Sequence, residues 1–286
     1  MRGRFFVASD LHEIPKPGEG VSSKIQSYAR KADADAILVL GDLLSGLWGS
    51  YDGENVYNIE SDGDEIKTVN DFVKYYKIGL DNLTNGEIPV YCIPGNHDGI
   101  THYNSQGKIK FHEPLGEEII KHHGKAICLE GMKEEINGIA VGGVGGHREI
   151  EFGGVTPLEY SELELWKILT NLGYVDVLLT HTVPHGTKLD VSSFVTSRDR
   201  KEDIIYNNRK PIGVHCGSLS VRKYIEEYSP LFAVGGHIHE SGGRVDKIGT
   251  TLCANVAYKD KKIFGVVDFE KNEIEIKKES FYARDA

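Results

Sequence analysis

Ala36-Ile-Leu-Val-Leu-Gly-Asp42 is a run of five apolar residues closed by a glycine and an acid. So short a run, with no polar alternation, is the pattern of a strand buried on both faces, as in a parallel sheet covered by helices. The pattern recurs at residues 5–8, 89–93, 139–144, 175–180 and 231–234, each run giving way to Gly, Asp, Asn or His. Stretches with helical spacing lie between several of these runs, at 20–32, 64–83, 158–172 and 218–228. Strand and helix alternate as in βαβ units, so the chain reads as α/β. After His239 the pattern changes, and segments 243–247, 250–257, 262–268 and 273–278 predict antiparallel strands closing a second sheet.

A chain of 286 residues, 40% hydrophobic, can bury a full core, and one domain over 1–286 is the default expectation. Its 33 basic and 43 acidic residues give a formal charge of -10, which disfavours nucleic acid and anionic membrane as partners. Cys92, Cys128, Cys216 and Cys253 are scattered, with no C-x-x-C spacing, and read as reduced packing residues of a cytoplasmic protein. The opening MRGRFF turns polar within a few residues, so no secretion signal is expected. No apolar stretch approaches the roughly 20 residues that cross a bilayer. Segments 46–63 and 183–213 fit neither the strand nor the helix pattern and are expected to be insertion loops near the active site. The first is acidic, and the second leads into a basic stretch with Arg198, Arg200, Lys201, Arg209, Lys210, Arg222 and Lys223.

Five short motifs follow the predicted strands: Asp10-Leu-His12, Gly41-Asp42, Gly95-Asn96-His97-Asp98, His181 and Gly236-His237-Ile-His239. Groups just past the carboxyl ends of strands in an α/β sheet gather along one edge, where ligands bind. Singly, a D-x-H or a Gly-Asp is commonplace, and a lone histidine after a strand is usually a satisfied structural residue. GNHD and GHIH carry more, because adjacent polar groups after an apolar strand are costly to bury without a partner. The set of five, in order and all at strand ends, leaves little room for chance. Carboxylates, imidazoles and one amide, with no thiolate, suit divalent ions such as Mn, Fe, Ni or Zn. Asp42 can bridge two of them. A pair of ions about 3.5–4 Å apart clamps a phosphate and lowers the pKa of a bound water, which is the chemistry of phosphoester hydrolysis.

The pattern D-x-H, G-D, G-N-H-D/E, H, G-H-x-H resembles that of the calcineurin-like metallophosphoesterase superfamily and runs from Asp10 to His239. The resemblance implies a metallo-dependent phosphatase-like fold, a four-layer α/β/β/α sandwich. It also implies one metal on Asp10, His12 and His239, a second on Asn96, His181 and His237, and Asp42 shared. His97 would face the substrate and protonate the leaving oxygen, with Asp98 orienting its ring. GDLLSGL and PGNHD lack the arginines of the protein phosphatases, while His215-Cys-Gly-Ser218 and the following helix are similar to the small phosphodiesterase-like members.

The expected partner is thus a small phosphoester, mono- or diester, with nucleotides among the candidates. A DNA or RNA nuclease and a non-catalytic metal-binding scaffold are the alternatives. His147 and Arg148, after the glycines of AVGGVGG, and His215 are candidate substrate contacts, or else polar turn residues. His185 and His215 can alternatively hydrogen-bond a metal ligand, or be plain exposed histidines. Trp48, Tyr51 and Tyr57 can stack on a base or form a small core of their own, and His122 and His123 read as solvated.

Overall fold

The computed structural model describes residues 2–44, 47–51, 56–60, 68–103, 109–148, 156–193, 195, 199–257 and 263–278. Two six-stranded mixed sheets form its centre. In the first, Arg4–Ala8, Ala36–Val39, Val90–Cys92 and Ala126–Cys128 run parallel in that order. In the second, Ile139–Val144, Val177–Thr180, Phe232–Gly235 and Thr251–Asn255 do the same. All six predicted runs are strands, with ends that match or differ by one or two residues.

Alternation along these strands builds the layers. Phe6 and Ala8 point into one core with Ile25 and Tyr28 of helix Ile25–Lys31, Phe72 and Tyr76 of helix Val69–Leu83, and Ile119 of helix Gly116–His123. Phe5 and Val7 point the other way, into a core between the sheets shared with Val141, Leu179 and Val234. The far face of the second sheet supplies Val144, Leu178 and Ala233 to a third core, closed by Leu165 and Leu169 of helix Glu162–Leu172 and Val221 and Tyr224 of helix Leu219–Tyr228. Helix, sheet, sheet, helix is the expected four-layer order.

The carboxyl-terminal strands do not all join one sheet. Arg244–Ile248 pairs with Thr251–Asn255 on the second sheet, whereas Ile263–Asp268 crosses over, pairs antiparallel with Arg4–Ala8, and takes Glu273–Lys278 with it. Turn signals reveal hairpins, but the partner of a hairpin edge is a long-range choice that local pattern does not encode. Neither expected loop is wholly irregular. Leu47–Tyr51 and Val56–Glu60 form a four-stranded sheet with Ile100–Tyr103 and Ile109–Glu113. Val191–Ser192, Ile204–Asn207 and Lys210–His215 form a three-stranded one. The side chains of Trp48, Tyr51 and Tyr57 lie outside the described residues. His123 is not solvated: it ends a helix, its side chain is 6% exposed, and its Nε2 lies 3.2 Å from Asp81. Among the described residues no helix is long and apolar enough to cross a membrane.

Candidate metal centre

Every motif lies just past the end of a parallel strand: Asp10 after Arg4–Ala8, Asp42 after Ala36–Val39, Asn96 after Val90–Cys92, His181 after Val177–Thr180 and His237 after Phe232–Gly235. Backbone bonds lace these loops together. The Asp10 and His12 amides donate to the Gly41 and Asp42 carbonyls at 3.0 and 3.1 Å, and the Gly236 amide donates to the His181 carbonyl at 2.8 Å. Four site residues hold left-handed backbone, with φ of 53° at Asp10, 43° at His12, 52° at Asp42 and 65° at His237. Each such residue costs about 1–3 kcal/mol, and strain of this kind collects where side-chain placement serves a function.

The motif glycines make room for the acids. A Cβ on Gly95 would sit 2.0 Å from Asp42 Oδ1, and one on Gly236 would sit 2.3 Å from Asp10 Oδ2. Neither loop can approach its carboxylate with any side chain there.

His181 is fully buried, and its Nδ1–H donates to the Leu40 carbonyl at 2.7 Å, which leaves a lone pair on Nε2. That nitrogen faces Asn96 Oδ1 at 2.7 Å and Asp42 Oδ2 at 3.3 Å, so three acceptors meet in a buried space. A proton on Nε2, or a divalent ion in its place, relieves the contact. The surroundings raise the His181 pKa to about 10: burial opposes the charge, but Asp42, Asp10 and the Leu40 carbonyl outweigh it. Across Asp42 a second set converges. His12 Nε2 and His239 Nε2 are 3.3 Å apart, with Asp10 Oδ1 at 3.8 and 3.0 Å from them. His12 Nε2 also reaches to 3.6 Å from Asp42 Oδ2. The ligand atoms of Asp10, His12 and His239 lie within 4.8 Å of one another, as do those of Asp10, Asp42 and His181. Both groups can hold a divalent ion, and nitrogen with carboxylate oxygen suits one.

Asp10 is held from behind by a bond that sequence reading did not anticipate, Ser9 Oγ donating to Oδ2, and by the His237 amide at 3.0 Å. His237 belongs to neither close group; its ring centroid is 5.2 Å from that of His181. Burial, then the charges of His147 and His181, drive its pKa well down, favouring the neutral ring that a metal ligand needs.

His97 lies over the same centre. Its amide donates to Asp42 Oδ1 at 2.8 Å, and its ring centroid is 5.5 Å from that of His12. Burial lowers its pKa. Asp98, however, does not bond to the His97 ring. Its carboxylate accepts the amides of Gly95, Asp42 and Leu43 at 2.7, 3.1 and 3.2 Å, together with the Tyr76 hydroxyl. With its lone pairs taken up, Asp98 staples the GNHD loop to the Gly-Asp loop, and the expected ring-orienting role gives way to this one. Its pKa rises to about 7 through burial and the nearby Asp42 charge.

The remaining candidates form the wall beside His237. His147 stacks on His237 with centroids 4.6 Å apart and planes at 16°. Its Nε2 lies 3.1 Å from Thr156 Oγ1 and 3.3 Å from Glu159 Oε1. Burial would raise the Glu159 carboxyl, but His147 and Thr156 bring it down to about 2. Arg148 donates through Nε to the Cys216 carbonyl at 3.2 Å. Neither His185 nor His215 touches a metal-ligand candidate: His215 Nδ1 bonds to Asp190 at 2.8 Å and His185 Nε2 to Asp203 at 3.0 Å. Much of the basic stretch is also spoken for, Arg200 by Asp203 and Arg222 by Glu226. Sequence patterning could not show these pairs, since each partner lies in a segment without a recognisable motif.

The sequence model of the calcineurin-like phosphoesterases matches residues 3–241. Comparison with curated proteins gives no match. Among solved structures, one superposes with TM-score 0.62 at 15% identity, covering 97% of this chain and 99% of its own. The protein TT1561 of Thermus thermophilus gives 0.55 at 16% identity, over 97% of this chain and 99% of its own. Phosphopantetheinyl hydrolase (PptH) from Mycobacterium tuberculosis gives 0.51 at 13% identity, over 90% and 89%. At these identities the likeness is one of fold.

Proposed function

Because the chain belongs to the calcineurin-like phosphoesterase family, we propose that it is a metal-dependent hydrolase of small phosphoesters with two divalent ions at this centre. Asp10, His12 and His239 would hold one, Asn96, His181 and His237 the other, and Asp42 would lie between. The observation that carries the reading is the convergence of His181 Nε2, Asn96 Oδ1 and Asp42 Oδ2 in a buried space, with His181 Nδ1 already given to the Leu40 carbonyl so that Nε2 is the atom offered to an ion. The ions would supply Lewis acidity, activating a water as nucleophile and neutralising the phosphate.

The protein's own part is placement. Ser9 and the His237 amide fix Asp10, the His97 amide fixes one Asp42 oxygen, and Asp98 fixes the loops that carry Asp42 and Asn96. His97 is the group left to donate a proton to the departing oxygen, a role worth about 10²–10⁴-fold.

The test strips the protein of metal, restores Mn, Fe(II), Ni or Zn, and measures turnover of bis-p-nitrophenyl phosphate and p-nitrophenyl phosphate. Turnover that needs metal and vanishes in Asp42→Ala supports the proposal; the preferred ester separates diesterase from phosphatase. Turnover that survives both metal removal and Asp42→Ala overturns it.

A further inference from the structure

Arg148 and His215 meet at the segment His215-Cys216-Gly217. Arg148 is half-buried, and among the described residues it has no carboxylate partner; its bond from Nε to the Cys216 carbonyl leaves both Nη groups to other acceptors. A half-buried guanidinium fixed through Nε presents a planar fork of the shape that phosphate and carboxylate groups take. His215 is prepared in a comparable way. Its Nδ1 donates to Asp190, so Nε2 points away from that anchor.

Asp190 is itself fully buried and accepts the amides of Gly186, Thr187 and Gly217 at 2.9, 3.0 and 3.1 Å. Four bonds to one carboxylate hold a single imidazole in one orientation. The His185 ring, locked to Asp203, lies 5.6 Å from that of His215.

Two connections put this wall next to the metal centre. Arg148 directly follows His147, which stacks on His237. On the other side, the Ser241 hydroxyl, two residues past His239, donates to the Val191 carbonyl at 2.7 Å, in a strand paired with His215.

We propose that Arg148 and His215 form a second anion subsite, so that the favoured substrate is a phosphoester carrying a further phosphate. This rests on the phosphoester hydrolase reading above. The scissile phosphate sits at the centre, and the second is taken by the Arg148 fork and by the imidazolium form of His215, which donates through Nε2 while Asp190 holds its Nδ1–H. A single-phosphate ester leaves these donors unmatched.

The experiment compares adenosine monophosphate with adenosine 5′-diphosphate and adenosine 3′,5′-bisphosphate on the manganese-loaded protein, as kcat/KM and as equilibrium binding. The native chain should favour at least one two-phosphate ligand, and Arg148→Ala and His215→Ala should each cut that preference by about 10- to 100-fold. Arg148→Lys, which keeps the charge, should retain more of it than Arg148→Ala. A native preference near unity, or variants that weaken all three ligands equally, would overturn the subsite. Binding needs no turnover, so a preference kept by a protein that hydrolyses nothing refutes the hydrolase reading and not the subsite.

Discussion

Glu130 offers a prediction that does not depend on the metals. Its carboxyl is buried, accepting the Gly145 amide at Oε2 and the Tyr160 hydroxyl at 2.9 Å on Oε1, with no cation bonded to it among the described residues. Burial raises its pKa from 4.5 to about 7, and the two donors only partly offset this. Below about pH 4.5 the acid is protonated in folded and unfolded chains alike, and the native state bears no penalty. As pH rises to about 7 the unfolded chain ionises first, so stability falls, by about 3 kcal/mol in all, and then levels off. Glu130→Gln keeps the shape and one acceptor; its amide can donate to a rotated Tyr160 hydroxyl while its oxygen keeps the Gly145 amide. The variant should match the native chain to within about 1 kcal/mol at low pH and gain on it by about 3 kcal/mol near pH 8. Urea unfolding of both proteins across this range reads the difference. A gap that stays constant with pH, or that widens toward acid, would refute the argument.

Three further outcomes follow from the site. His97→Ala should cost alkyl phosphoesters about 10²–10⁴-fold in kcat but nitrophenyl esters far less, because nitrophenolate departs without a proton; equal losses on both would remove the general-acid role. Gly95→Ala should abolish turnover and weaken metal binding, since its Cβ would fall 2.0 Å from Asp42 Oδ1, and a fully active variant would contradict the packing described. Asp98→Asn should lower stability by about 1–3 kcal/mol and reduce turnover on nitrophenyl and alkyl esters alike, because an amide nitrogen would face backbone donors; a loss confined to alkyl esters would instead tie Asp98 to His97.

The positions of the strands along the chain and the identity of the motif residues were legible because both are local: an apolar run, its breaker, and the polar group after it. That seven metal-ligand candidates would gather at one edge followed from the rule for parallel strands. What patterning could not supply was the partner each polar side chain takes, inside a motif or outside one. Asp98 adjoins His97 in sequence, yet its carboxylate turns toward the amides of Asp42 and Leu43, a choice set by the approach of two loops 55 and 56 residues apart. Likewise Asp190 and Asp203 give no sign in the sequence that they hold His215 and His185. The crossover of Ile263–Asp268 to the first sheet was hidden for the same reason, since a short apolar run fits either sheet.

The central claim is a centre of two ions bridged by Asp42, and metal content per chain after dialysis against manganese tests it most directly. The account predicts two ions in the native protein, one in His239→Ala, and a loss of both in Asp42→Ala that parallels the loss of phosphoester turnover. A native chain that binds no manganese, or an Asp42→Ala variant that still carries two ions, would contradict it.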